Sequence, residues 1–156
     1  MGQYFSDTGA REFCGVFRGD GVNHDKGAFQ GQFTGEAILG GQALRIQFVA
    51  HDSEGKVLHE EETVVSPDSQ SGPLKMFSFN TRTGLTVLSQ ILEPEGPNAD
   101  KQTLFPFATD GLEDDTRFRM RTTLKRLDSG TLEFAQEWAL PGGELIPRSS
   151  VVLKRT

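Results

Sequence analysis

Cysteine is nearly absent from this sequence, which holds only Cys14 among its 156 residues. A single cysteine excludes an intramolecular disulfide and a metal site built from cysteine pairs. Long apolar runs are missing too: no window approaches the roughly 18 apolar residues of a membrane-spanning helix, and the N-terminus lacks the apolar stretch of a secretory signal. We therefore expect a cytoplasmic protein with no membrane partner.

Basic residues are also scarce. The chain carries 16 Lys and Arg against 22 Asp and Glu, a formal net charge of −6. A surface that repels phosphate groups on average binds nucleic acid poorly. We expect no nucleic-acid partner.

Glycine and phenylalanine are abundant, with 18 and 12 copies. Glycine at this density disfavours helices but is tolerated in curved strands. Period-two alternation recurs along the chain and is broken by turn signals every eight to twelve residues, a pattern typical of sandwiches and barrels. We predict an all-β fold, an antiparallel up-and-down barrel of about eight to ten strands. Residues 1–156 are expected to form one domain, with 1–12 as an N-terminal arm or short helix.

One hairpin can be registered from the sequence. If 128–130 is a three-residue loop with a positive φ at Gly130, Leu127 pairs with Thr131. One face then becomes apolar and the other charged, as a half-buried antiparallel pair requires. The predicted cross-strand pairs are Met120–Trp138, Thr122–Gln136, Leu124–Phe134, Arg121–Glu137 and Lys125–Glu133. The alternating arginines Arg117, Arg119 and Arg121 are expected on the outer face.

A second hairpin is predicted around a four-residue turn at 52–55, which sets Arg45 opposite Glu62 and Gln47 opposite Glu60. The inward face would then contain His59 and Glu61, two residues apart on one strand. Buried together, they could anchor a ligand or act as a general acid/base pair. A register error of one residue would instead place both in solvent.

The segment Gly15-Val16-Phe17 resembles the first barrel strand of calycin-type proteins, whose hallmark is Gly-x-Trp. The later glycine pattern in 35–56 and a last strand ending in Lys-Arg are similar to bacterial lipocalin-like domains of unknown function. The resemblance implies a barrel with a cavity and no defined activity. It also implies that Phe17 plugs the closed end against a basic residue, Arg155 or else Arg148. Haem-binding relatives use a histidine near the C-terminus, and none follows His59, so we expect no cofactor.

These observations favour a non-catalytic module that binds a small hydrophobic or amphipathic molecule inside the barrel. An aromatic interior is expected from Phe29, Phe33, Phe48, Phe77, Phe79, Phe118, Phe134 and Trp138. The predicted ligand-binding residues are Phe48, His59, Glu61, Met120, Phe134 and Trp138; no catalytic or metal-binding residue is predicted. One alternative is a small cavity enzyme, an isomerase or hydrolase, using His59 with Glu61 or Asp25. Another is a structural module that pairs with a second copy as a homodimer.

Overall fold

The computed structural model describes residues 10–69, 72–91 and 104–156. Apart from two 3-10 turns at Ala10–Phe13 and Leu39–Gly41, these residues form strands joined by turns and loops. The strands are β1 (Gly15–Asn23), β2 (Gly27–Ile38), β3 (Ala43–His51), β4 (Val57–Pro67), β5 (Leu74–Asn80), β6 (Gly84–Gln90), β7 (Leu104–Ala108), β8 (Arg119–Asp128), β9 (Thr131–Ala139) and β10 (Ile146–Arg155). The prediction of an all-β fold is confirmed. Most of the predicted N-terminal arm, residues 1–9, lies outside the described residues.

The strands close into a barrel. Each strand is antiparallel to the strands before and after it in the chain, and β10 pairs with β1. This is the predicted up-and-down order, and full closure leaves the sheet without a free edge strand. The β6–β7 seam is short among the described residues, with two pairs, Ser89–Ala108 and Gln90–Phe107. No described helix has the length and apolar character needed to cross a membrane.

The β8–β9 hairpin has the predicted register along most of its length. All five predicted cross-strand pairs are present. The turn itself differs from the prediction, because Asp128 pairs with Thr131 and Leu127 becomes an extra, bulged residue. Gly130 does not take a positive φ. The Asp128 carboxylate accepts a hydrogen bond of 3.0 Å from the Gly130 amide, which stabilises the tighter turn.

The β3–β4 register was predicted wrongly by two residues. Phe48 pairs with Glu61, and Ala50 pairs with His59. One residue of the offset comes from the turn, which spans 52–56 and has Gly55 at φ +82°. The other comes from a bulge at Leu58, between the pairs Ala50–His59 and His51–Val57. Because the two offsets add to an even number, Glu61 and His59 keep the inward face that was predicted for them. Val57, on the other side of the bulge, lies on the outer face and is 46% exposed, although the predicted register placed it inward.

The barrel interior is apolar and well packed. Phe77 and Phe79 were expected there, but they lie on the outer face, where they are 38% and 53% exposed. Strand β5 instead turns Leu74, Met76 and Ser78 inward. The buried interior includes Phe13, Phe17, Phe29, Phe33, Leu44, Ile46, Phe48, Val65, Met76, Leu88, Phe105, Phe107, Met120, Leu124, Leu132, Phe134, Val151 and Leu153.

An aromatic ring lies under a guanidinium group near one end of the barrel. Phe17 is fully buried, and the Arg155 guanidinium carbon lies 4.5 Å from the centroid of its ring. Arg155 also donates hydrogen bonds to the backbone carbonyls of Cys14 and Glu12. Gly15 begins β1 at φ +122°, and a Cβ atom there would lie 2.5 Å from Arg155 Nη1. The backbone conformation favours glycine, because L side chains rarely adopt a φ of +122°.

Candidate functional site

A pocket opens at the opposite end of the barrel, among the β1–β2, β3–β4, β5–β6 and β9–β10 turns. Its cavity volume is about 50 Å³. A cavity of roughly 150 Å³ encloses benzene, so a ligand of one aromatic ring would be only partly enclosed here and would extend into the opening. The pocket is lined by Asn23, Lys26, Phe29, Phe48, Ala50, Leu58, His59, Arg82, Gln136, Trp138, Arg148 and Ser149.

A column of aromatic rings explains why the pocket is small. Five rings follow one another from the pocket to the opposite end of the barrel, in the order Phe29, Phe48, Phe134, Phe33 and Phe17, with neighbouring ring centroids 5.0–6.3 Å apart. Each successive pair is edge to face, the geometry that the ring quadrupole favours. These rings fill much of the interior, so a ligand can occupy only the space above them.

A buried carboxylate lies beside the pocket floor. The Glu61 side chain is 3% exposed and accepts hydrogen bonds from four side chains. Its Oε1 accepts from Thr63 Oγ1 at 3.1 Å and from Ser78 Oγ at 2.8 Å. Its Oε2 accepts from Gln136 Nε2 at 3.0 Å and lies 3.2 Å from His59 Nε2. Buried charges require partners of this kind, and Glu61 has them on both oxygens.

The electrostatics of Glu61 favour its charged form. Burial raises the pKa of the carboxyl group, but hydrogen bonds from His59, Ser78 and Gln136, together with the Coulombic attraction of His59, lower this pKa by more than burial raises it. The net effect holds the pKa of Glu61 below its ordinary value. His59 is thereby fixed between the carboxylate and the pocket, which its ring helps to line. The pair combines an ionised acid with an imidazole that a ligand can reach.

The pocket rim is cationic. Lys26 Nζ donates to the Leu58 carbonyl at 3.2 Å, and Arg82 Nη1 lies 3.8 Å from Asp25 Oδ2. The Arg148 guanidinium carbon lies 4.1 Å from the centroid of the Trp138 ring. Three positive side chains therefore surround an aromatic opening.

A β-bulge positions Arg148. Pro147 pairs with Glu137 and Ser149 pairs with Gln136, so that Arg148 is an extra residue on β10. Bulges re-aim a side chain, and here the Arg148 Nε donates to the Trp138 carbonyl at 3.0 Å. The preceding proline is compatible with a bulge, because no ladder hydrogen bond is needed there.

The structure places the predicted site residues at two depths. Phe48, His59 and Trp138 line the pocket, Glu61 lies behind His59, and Phe134 and Met120 are buried in the core below. Sequence reasoning missed Lys26, Arg82 and Gln136, and it considered Arg148 only for the closed end. Lys26 and Arg82 lie in turns, where periodicity carries no signal.

The remaining candidates lie elsewhere. Arg119 is buried and donates to the Gly143 carbonyl, whereas Arg121 pairs with Glu137 as predicted. His24 is exposed and His51 is half-buried at the end of β3. Within 10–69, 72–91 and 104–156, no three His, Cys, Asp or Glu residues converge in a way that could hold a metal ion.

No protein-family model matches this sequence, and no curated protein matches it. Among solved structures, the chain is similar to Rv2717c from M. tuberculosis, with 12% identity, a TM-score of 0.70 and 95% of each chain covered. It is also similar to EF1p2_mFAP2b, a barrel solved bound to DFHBI, with 10% identity, a TM-score of 0.51, and 97% of this chain and 99% of that chain covered. At identities this low, the structural similarity shows a shared fold and does not extend to function.

Proposed function

We propose that this protein binds a small amphipathic molecule in the pocket at the open end of its barrel. One observation carries the proposal: the opening is lined by Phe29, Phe48 and Trp138, and its polar member, His59, is held in place by a buried carboxylate. An apolar wall with a few fixed polar groups is the usual composition of a ligand site. That EF1p2_mFAP2b was solved bound to DFHBI supports the view that such barrels hold small molecules.

Trp138 provides a direct test. It is the only tryptophan, so its indole N–H signal in an NMR spectrum needs no further assignment. We expect one-ring aromatic compounds to shift this signal saturably. Replacing Ala50, which is 5% exposed and lines the pocket, with Leu should fill the space and abolish the shift. A panel of such compounds that leaves the wild-type signal unmoved would refute the proposal.

We also propose a calycin-type relationship, with Gly15, Phe17 and Arg155 as the closure of the barrel. The stacking of Arg155 on Phe17 and the tight approach of Arg155 to Gly15 support it. A tryptophan should therefore be accepted at the ring position. We expect Phe17→Trp to fold and to retain a cooperative unfolding transition; a variant that fails to fold would count against the relationship.

A further inference from the structure

We infer that the ligand of this pocket is a small organic anion, a carboxylate attached to a single aromatic or branched apolar body. This deepens the binding function proposed above and rests on it. The inference comes from the charge at the opening, from the hydrogen-bonding capacity that remains there, and from the size of the cavity.

The charged side chains at the opening are opposite in sign to the net charge of the chain. The protein as a whole is acidic, with a net charge of −6, yet the pocket lining includes Lys26, Arg82 and Arg148 and no Asp or Glu. Among the described residues, Asp25 is the only carboxylate paired with these cations, and it lies 3.8 Å from Arg82. Aromatic walls of low dielectric strengthen a local positive field. The opening therefore attracts anions that the rest of the surface repels.

Arg148 is prepared to receive an oxyanion. Its guanidinium carbon lies over the Trp138 ring, 4.1 Å from the centroid, and within the described residues only its Nε donates to an acceptor. The outer nitrogens of a guanidinium group present a planar fork that matches a carboxylate. Trp138 lies beneath the guanidinium group and also forms part of the apolar wall. A ligand with a carboxylate at one end and an apolar body at the other could bind Arg148 and pack against this wall at the same time.

The buried Glu61 does not oppose an anion. Its two oxygens already accept four hydrogen bonds, and His59 stands between it and the pocket. The His59 ring and the hydrogen bonds on both Glu61 oxygens keep a bound anion out of contact with the carboxylate. The cavity of about 50 Å³ is smaller than the roughly 150 Å³ that encloses benzene, so it favours an apolar body of no more than one ring, partly exposed at the opening.

The test compares benzoate with benzamide, its neutral analogue of nearly the same shape, by titration of the Trp138 indole signal. We expect benzoate to bind about tenfold more tightly, because hydrogen bonds to charged groups are about twice as strong as neutral ones. Arg148→Gln and, independently, Lys26→Gln should each weaken benzoate several-fold and leave benzamide within about twofold. Circular dichroism should show that both variants retain the fold.

Arg18→Gln is the matched control. Arg18 is exposed on β1 and donates through its Nε to Gln32 at 3.0 Å, outside the pocket lining. Its replacement removes one positive charge from the chain and should leave benzoate affinity unchanged. An equal loss in Arg18→Gln would mean that overall charge, not the rim, attracts the anion, and would overturn the inference.

The other outcomes separate the two proposals. Equal binding of benzoate and benzamide, or an equal loss of both in Arg148→Gln, would overturn the anion inference and leave the binding function intact. Phenyl phosphate binding tenfold more tightly than benzoate would overturn the assignment of a carboxylate. If neither these compounds nor any neutral one-ring compound shifts the Trp138 indole signal, the proposed binding function itself is refuted.

Discussion

Removing the Glu61 carboxylate is expected to destabilise the barrel, although burying a charge is costly. We compare two replacements: Glu61→Gln, which keeps the shape, and Glu61→Leu, which removes every acceptor. In Glu61→Gln, one oxygen still accepts from Thr63 and Ser78. The new amide meets Gln136, which can turn its own amide to match. We expect the free energy of unfolding to fall by about 1–2 kcal/mol, because charge-assisted hydrogen bonds become neutral ones.

Glu61→Leu leaves more groups without partners. Without Glu61, the Thr63 hydroxyl can donate to Ser78 Oγ, which lies 3.1 Å away, but Gln136 and His59 lose an acceptor at the pocket floor. Each unsatisfied buried donor costs about 1–3 kcal/mol, partly offset because no carboxylate has to be desolvated. We expect a net loss of about 2–4 kcal/mol. The assay is urea unfolding followed by Trp138 fluorescence, with outward-facing Glu60→Gln as a control expected within about 0.5 kcal/mol of wild type.

The contribution of Glu61 should also depend on pH in a defined direction. Its pKa in the folded protein lies below the ordinary value of 4.5, so the folded state favours the ionised carboxylate. The stabilisation is therefore fully present above about pH 4.5 and is lost as the pH falls through the folded pKa. The difference in the free energy of unfolding between wild type and Glu61→Gln should therefore become smaller as the pH is lowered. A Glu61→Leu variant as stable as wild type at neutral pH, or a gap that widens in acid, would refute the reasoning.

Three further predictions concern other parts of the barrel. The Thr122 hydroxyl is buried and has no partner among the described residues, so Thr122→Val should leave stability unchanged or raise it by about 1 kcal/mol in urea unfolding; a loss above about 1 kcal/mol would contradict this. Arg155→Gln should lower stability by about 1–2 kcal/mol, since it removes the contact with Phe17 and charge-assisted hydrogen bonds, while Arg18→Gln should not. Burial raises the pKa of the Cys14 thiol, so alkylation followed by mass spectrometry should be several-fold slower in native than in urea-unfolded protein; equal rates would refute this.

Where the sequence carried two independent signals, the prediction succeeded. In the β8–β9 hairpin, apolar pairs such as Met120–Trp138 and charged pairs such as Lys125–Glu133 both required the same register. Strand β5 had no such agreement. Its apolar residues occupy both faces, with Met76 on one and Phe77 on the other. Ser78 faces inward with Met76 and donates to Glu61 on the neighbouring strand β4, a cross-strand contact that alternation along β5 alone does not indicate.

The rim of the pocket could not be predicted for a different reason. Lys26 lies in the β1–β2 turn, Arg82 in the β5–β6 turn, and Arg148 at a bulge in β10. Alternation indicates which face a residue in a regular strand occupies, but turns and bulges interrupt alternation. Only closure of the barrel brings these three positions to one opening, and closure depends on pairing between the first and last strands.

The β3–β4 error shows what the placement of a site residue depends on. A turn longer by one residue and a bulge at Leu58 each shift the register by one, and each alone would have moved His59 and Glu61 to the outer face. Together they restore the inward face but change the cross-strand neighbours. Glu61 therefore lies opposite Phe48 and can reach Gln136 across the barrel. The face on which a strand residue lies depends only on whether the total register offset is even or odd. Its cross-strand partners can be predicted only when the full register is known. A sequence can thus indicate that a carboxylate is buried before it indicates which side chains hold it.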